Sequence, residues 1–281
     1  MSDRFSSIKE FDIIREVGKG GYSIVYLARH KVTKREYAIK CAMKYKTYHK
    51  EKSSGSQDEV TKDISDKTRQ EIKTLQVLRH KRIIRIRGWF EDSDNIYIVL
   101  PYMEGGDLSG FLKREGIPSK ELTIKFMTQI ISAVKYCHKK GILHRDIKLN
   151  NILIDKNMDI KLTDFGLCAI KDENNDYFYD RVGTARYTAP ELLHKDGHDE
   201  GADVWGIGII LFLLLTGKYP FDGSKKHSIF NRIKEKRINY DNYNLDEEEI
   251  HLLKRLLCKN PRYRIQLDDI LETDWFVNNS S

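Results

Sequence analysis

Short β-rich runs dominate the first hundred positions. Phe11–Val17, Ser23–Ala28, Glu36–Ala42 and Ile96–Leu100 each carry β-branched or aromatic residues between turn formers, and each predicts a strand. One helical stretch interrupts them. After Glu71, residues Ile72, Leu75, Gln76, Leu78 and Arg79 follow a 3.6-residue spacing. Past Gly105-Gly106 the period becomes helical. Between Leu122 and His138 apolar residues fall at Ile124, Met127, Ile130, Ile131, Val134 and Tyr136. Further helices are expected near Ala202–Thr216, Ser228–Lys236, Glu247–Cys258 and Leu267–Glu272. Strands first and helices afterwards predict an α+β chain of two lobes. A cleft between such lobes is where a small ligand would sit. From Lys44 to Asp66 the chain turns rich in Lys, Ser and Asp and poor in apolar residues, and a flexible insertion is expected over 44–66.

Composition narrows the class. At 281 residues, with 40% apolar and 32% charged, the chain can bury a real core. The net charge of +7 is local, since Lys40 to Arg87 holds 14 basic and 6 acidic residues. Such a stretch invites a phosphate-rich partner. No aromatic residues interleave it in a stacking pattern, so a solvated face is expected and no direct nucleic-acid partner. Cys41, Cys137, Cys168 and Cys258 lie far apart without a Cys-x-x-Cys pair, which argues against a zinc site or a disulfide framework. They suit a reducing compartment. Met1 to Glu10 has no apolar signal core. Val204 to Leu215 is too short to span a bilayer and is interrupted by glycines, so no membrane partner is expected.

The chemistry-bearing residues come in a fixed order. Gly18-Lys19-Gly20-Gly21-Tyr22-Ser23-Ile24-Val25, after Val17, joins two expected strands, and glycines there would let backbone approach a phosphate chain. Taken alone this is as well explained by a hairpin turn. Lys40 follows on a strand. Then come His144-Arg145-Asp146-Ile147-Lys148-Leu149-Asn150-Asn151, Asp164-Phe165-Gly166 and Ala189-Pro190-Glu191. All five elements in this order resemble the signature set of eukaryotic protein kinases. The resemblance runs from Phe11 to Phe276 and takes in Asp203-Val204-Trp205-Gly206, Tyr219-Pro220-Phe221 and Arg264.

That resemblance implies a bilobal protein kinase fold, with a β-rich N-lobe of one main helix and a helical C-lobe. It places a tail at 1–10, a kinase domain at 11–276 (N-lobe 11–100, hinge 101–106, C-lobe 107–276) and a tail at 277–281. It implies ATP and Mg²⁺ as cofactors and serine or threonine in proteins as acceptor. Lys40 would hold the α- and β-phosphates and pair with Glu71. Asp164 and Asn151 would bind metal. Asp146 would orient the substrate hydroxyl and take its proton, and Lys148 would neutralise the transferring phosphate. Residues from Val17 to Val25, Leu100 to Met103 and Asp107 would complete the ATP site, Asp107 facing either the ribose or a substrate cation. Asp203 is expected to anchor the catalytic-loop backbone, Glu191 and Arg264 to form a structural ion pair, and Ile86, Leu75, His144 and Phe165 to stack in one column. Lys148 and Thr184 indicate Ser/Thr specificity.

Among subfamilies the chain is most similar to Aurora kinases, through Phe11–Gly20, Val25–Arg29, Leu78-Arg79-His80, Tyr136-Cys137-His138 and His144–Lys148. Leu149 and the loop's Gly-Gly are similar to polo kinases, and Ile209–Phe221 to the calmodulin-dependent group. After Phe276 no room is expected for a polo-type second domain. An Aurora-like chain implies a role in the mitotic spindle or chromosome segregation, and an inner-centromere-protein-like activator. It implies residence in nucleus and cytoplasm, at spindle or kinetochore. Departures from the pattern are Ser23 for the third loop glycine, Pro101 for an acidic hinge residue, and neutral Asn150 and Leu213 for residues that read substrate arginines. In register with Gly183-Thr184, Asp180 falls where the family carries an activating phosphothreonine that pairs with Arg145. Asp180 is thus either a built-in substitute or a solvated residue, with Tyr177, Tyr179 or a partner doing the switching.

Overall fold

A computed structural model describes residues 5–51, 57–171, 177–180, 182–193 and 197–279. Contacts divide the chain into two compact units. The first runs to Arg79 and adds Ile84–Met103. The second comprises His80–Ile83 and everything from Glu104.

The first unit is built on strands β1 (Phe11–Lys19), β2 (Ser23–His30), β3 (Glu36–Met43), β4 (Tyr45–Glu51), β5 (Gln57–Asp63), β6 (Gly88–Glu91) and β7 (Asn95–Pro101), with helix α1 (Asp66–Val77). β1, β2, β3, β7 and β6 form one antiparallel sheet in that spatial order. One face of it is apolar: Phe11, Ala28, Tyr37, Ile39, Phe90, Tyr97 and Val99 make a buried cluster. Ile96 to Leu100 are buried without alternation, as expected of an interior strand. β6 is too short to show a period in the sequence, and it was not expected.

The structure departs from the sequence reading at three places in this unit. The helix begins at Asp66, before the spacing that announces it, and ends at Val77, with Glu71 on it as the resemblance implies. Leu78 leaves the helix for an extended conformation and is buried there, which is why its helical spacing misleads. The insertion expected to be flexible contains an antiparallel ladder, β4 against β5, from Tyr45↔Asp63 to Glu51↔Gln57. Tyr45, Thr47 and Tyr48 favour strands, but the surrounding charge hides them. The expected insertion's residues 52–56 lie outside the described residues, as do 1–4 and 280–281 of the two expected tails. The described part of the first tail is packed, not loose. Phe5 meets Phe11 and Tyr37 edge-on or tilted, and Ser7 caps a short 3₁₀ turn, Ile8–Glu10, whose Glu10 reaches back to the Ser7 N–H.

The second unit is mainly helical: α2 (Leu108–Glu115), α3 (Lys120–Lys139), α4 (Gly201–Thr216), α5 (Lys226–Glu235), α6 (Glu247–Leu256) and α7 (Asp274–Val277). Leu267–Glu272 is helical as expected, but 3₁₀ in form. Short ladders pair β9 (Ile152–Ile154) with β10 (Ile160–Leu162), and β8 (Ile142–Leu143) with β11 (Ala169–Ile170). α4 is apolar all round and buried from Ala202 to Leu214, so it is the central helix of this unit. Its glycines allow close approach. A Cβ on Gly206 would lie 2.9 Å from both the Cβ and the carbonyl oxygen of Ile147, so this glycine lets the 144–151 loop rest directly on α4. The bidentate pair Arg264–Glu191 (2.6 and 2.9 Å) is buried, and Arg264 also lies over the Trp205 ring.

Candidate active site

In the first unit, Lys40 alternates along β3 with buried Ile39, and its neighbours in register are Val25 and Ile98. Its Nζ donates to both carboxylate oxygens of Glu71, at 2.7 and 2.9 Å. Glu71 sits on the buried face of α1, and an ion pair so far from water survives only with tight geometry. The β1–β2 connection closes with Gly20 N–H donating to the Ser23 carbonyl at 2.7 Å. Gly18, Gly20 and Gly21 all lie outside the left-handed region, so backbone conformation does not require them. A Cβ on Gly21 would meet nothing within 4 Å, so what glycine supplies is room above the turn. That suits the close approach of a bulky anion to backbone N–H groups. Leu100 and Met103 are buried at the end of β7 and just beyond it.

In the second unit, one carboxylate gathers the catalytic-loop residues. Asp146 is buried, and its Oδ2 accepts from Lys148 Nζ at 2.5 Å and from Asn151 Nδ2 at 3.2 Å. Its Oδ1 accepts from the Thr184 hydroxyl at 2.9 Å and the Thr184 N–H at 3.1 Å. Thr184 Oγ1 in turn accepts from Lys148 Nζ at 3.0 Å, so Thr184 bridges acid and cation. This bridging role was not legible in the sequence, where Thr184 marked Ser/Thr specificity and stood with Arg145 and Asp180 among the expected regulatory residues. Asn151 donates again to the Asp146 carbonyl (2.8 Å), and its own carbonyl accepts from Thr163 N–H (3.0 Å). That last bond sets Asp164 beside the loop. Asp164 and Arg145 both have left-handed backbones, with φ of 64° and 63°. Such a conformation costs a non-glycine residue about 1–2 kcal/mol, and the surrounding bonds hold it.

Asp203 on α4 supplies much of that hold. It accepts from the backbone N–H groups of His144 (2.9 Å) and Arg145 (2.8 Å) and from His138 Nε2 (2.8 Å). Burial pushes its pKa up, but the His138 hydrogen bond and charge and the His144 contacts outweigh burial, and the carboxyl stays below its ordinary value. His144 Nε2 meets the Thr163 carbonyl at 3.0 Å and its ring packs edge-on against Phe165. Gly183 has φ +97°, and a Cβ there would lie 2.9 Å from the Arg145 carbonyl, so only glycine fits next to Thr184.

Arg145 ties down the segment that follows Asp-Phe-Gly. Its Nε donates to the Leu167 carbonyl (2.8 Å), its Nη1 to Asp180 (2.5 Å), and its guanidinium lies over the Phe178 ring. Phe178 bridges back to His198 through two backbone hydrogen bonds. Asp107 has a role the sequence reading did not assign it: its Oδ1 caps α2 by accepting from Gly110 N–H at 2.7 Å.

Among the described residues no cluster of three or more His, Cys, Asp or Glu could hold a metal by itself. The oxygen donors of Asn151 and Asp164 are nevertheless the kind of partial set that suits Mg²⁺, which keeps water and takes one or two protein oxygens plus substrate phosphates. Among the described residues no helix is long and apolar enough to cross a membrane, and none of the four cysteines is in a disulfide.

The first unit thus carries a Lys–Glu pair between its sheet and its helix, and the second a loop organised about one buried carboxylate. The chain belongs to the protein kinase family: its residues 11–276 match the protein kinase domain. It is 34% identical to serine/threonine-protein kinase PLK4 of Nematostella vectensis, over 97% of this chain and 27% of that protein. It is 32% identical to Aurora kinase of Dictyostelium discoideum (95% of this chain, 66% of that protein). It is 33% identical to CBL-interacting protein kinase 33 of Oryza sativa subsp. japonica (96% and 57%). The chain thus spans from about a quarter to two thirds of the length of these curated relatives.

Proposed function

We propose that this chain transfers the γ-phosphoryl group of ATP to serine or threonine hydroxyls of protein substrates. The observation that carries this reading is the Asp146 carboxylate held by Lys148, Thr184 and Asn151. Asp146 would accept the hydroxyl proton as the oxygen attacks, and Lys148 would offset negative charge on the transferring group. Lys40 would hold the α- and β-phosphates, its ammonium oriented by Glu71, and the glycine-rich turn would present backbone N–H groups to them. Asn151 and Asp164 would hold Mg²⁺, which when bound neutralises charge on the phosphate oxygens. Serine is the better acceptor in this reading, because by resemblance to the family a bulky apolar residue after Asp-Phe-Gly, here Leu167, favours serine over threonine. Asn150 and Leu213 are neutral, which leaves a weaker arginine preference than Aurora relatives would show.

The biological role proposed is Aurora-like, in mitotic spindle function or chromosome segregation, with an inner-centromere-protein-like activator and residence in nucleus and cytoplasm. The Aurora-like stretches and the Aurora relatives support it. Polo and CBL-interacting relatives of similar identity support a second reading, a Ser/Thr kinase of one of those groups. An oriented peptide-library assay with the purified chain tests both. Phosphorylation of serine peptides with at most a mild upstream-arginine preference is the expected result. A strict requirement for two upstream arginines contradicts the specificity, and no phosphate transfer from ATP contradicts the activity.

A further inference from the structure

The glycine-rich turn is tied to the segment between β3 and α1. Tyr22, at its tip, accepts the Met43 N–H on its carbonyl and Lys46 Nζ on its phenol oxygen, each at 3.0 Å. The Lys46 ammonium lies 4.6 Å from the ring centroid. Hydrogen bonding and then charge from Lys46 hold the phenol below its ordinary pKa. Lys46 belongs to β4, opposite Lys62 of β5. That ladder is itself fixed. Ile64 N–H donates to the Lys44 carbonyl (2.7 Å), Lys44 N–H donates to the Asp94 carbonyl (2.8 Å), and Lys44 Nζ reaches the Asp92 carbonyl and Glu91. β5 then runs through Asp63, whose carboxylate accepts from Ser65 N–H, into α1 and Glu71. One bonded path therefore leads from the tip of the turn to the helix that carries the partner of Lys40.

We infer that Lys46 is a positioning residue: through Tyr22 the β4–β5 hairpin holds the glycine-rich turn in the conformation that receives nucleotide phosphates. The inference rests on the kinase reading above. A turn with three glycines loses much backbone freedom when it orders on a ligand. Ordering it beforehand lowers that cost and raises affinity. The contact is exposed, so the gain is bounded at about fivefold, equivalent to roughly 1 kcal/mol.

The test uses the full chain with adenylyl imidodiphosphate and Mg²⁺ in isothermal titration calorimetry, and amide hydrogen exchange without nucleotide. Lys46→Ala is expected to weaken nucleotide binding about three- to fivefold and to speed exchange across 18–24. Lys46→Arg should restore both. Tyr22→Phe removes the hydrogen bond but keeps the ring beside the ammonium, so it should lose part of what Lys46→Ala loses, and the double variant should lose no more than Lys46→Ala alone. Unchanged exchange in Lys46→Ala overturns the positioning role whatever the protein binds. Unchanged affinity with faster exchange overturns the link to nucleotide. If the wild-type chain binds no nucleotide, the kinase reading fails and the link to nucleotide with it, while the exchange result still decides whether the hairpin orders the turn.

Discussion

Arg145 Nη1 donates to Asp180 Oδ1 at 2.5 Å while its Nε holds the Leu167 carbonyl, so one guanidinium ties the catalytic loop to two points of the segment that follows Asp-Phe-Gly. The arginine is almost fully buried, whereas the Asp180 side chain is 54% exposed. A carboxylate there carries one negative charge, against about 1.5 to 2 for a phosphate. Of the two readings of Asp180, the built-in substitute predicts a measurable loss when the charge is removed. In protein confirmed unphosphorylated by mass spectrometry, Asp180→Asn is expected to lower kcat/KM about two- to fivefold, with Asp180→Glu near wild type, because solvent screens the pair. Equal activity of Asp180→Asn and wild type would remove Asp180 from the switch.

Asp146 and Thr184 act as a unit. Asp146→Asn should lower kcat by about 10²–10⁴-fold while nucleotide affinity, measured by calorimetry, changes less than about twofold. Thr184→Val removes the hydroxyl between Asp146 and Lys148 and should cost kcat at least about tenfold, whereas Thr184→Ser should retain most of it. Steady-state kinetics separate these outcomes, and near-normal turnover of Asp146→Asn sinks the assignment.

The Arg264–Glu191 and Lys40–Glu71 ion pairs predict stability losses of a particular kind. Arg264→Lys cannot reproduce the bidentate contact with Glu191, so the substitution is not conservative. Arg264→Met leaves Glu191 buried and unpaired and should cost about 3–5 kcal/mol in urea unfolding. Lys40→Met should destabilise by a smaller amount, about 2–3 kcal/mol, since the Lys40 side chain retains 16% exposure. A loss below about 1 kcal/mol in Arg264→Met would show that Glu191 finds another partner or protonates.

Asp203 predicts a pH dependence. Its folded pKa is depressed, so the unfolded chain binds the proton more tightly, and stability rises with pH across that window. The contribution is fully present above the unfolded value of about 3.9 and is lost as pH falls below it. Asp203→Asn should lower stability at pH 7 and flatten the fall below about pH 4. Thermal melts across that range check it, and parallel curves for variant and wild type would contradict it.

How much of this was legible beforehand differs by residue. Lys40, Glu71, Asp146, Asn151 and Asp164 could be singled out because the resemblance to the protein kinase signature set assigns them, and the strands of the main sheet because β-branched runs announce themselves. Asp203 and Arg264 were readable as supports for the same reason. What the chain could not show is who completes whom at a distance. The capping of α2 by Asp107, the Thr184 bridge 38 positions from Asp146 and the rest of Ile147 on Gly206 are each a product of packing, not of local pattern. The hairpin β4–β5 was missed because charged residues outnumber apolar ones in the sequence of its two strands, and what reveals it is their pairing with each other. Local sequence decides which conformations a segment prefers and which chemistry its side chains carry. Tertiary structure decides which of those groups share a hydrogen bond, because burial makes an unpaired polar group costly and so selects its partner from anywhere along the chain.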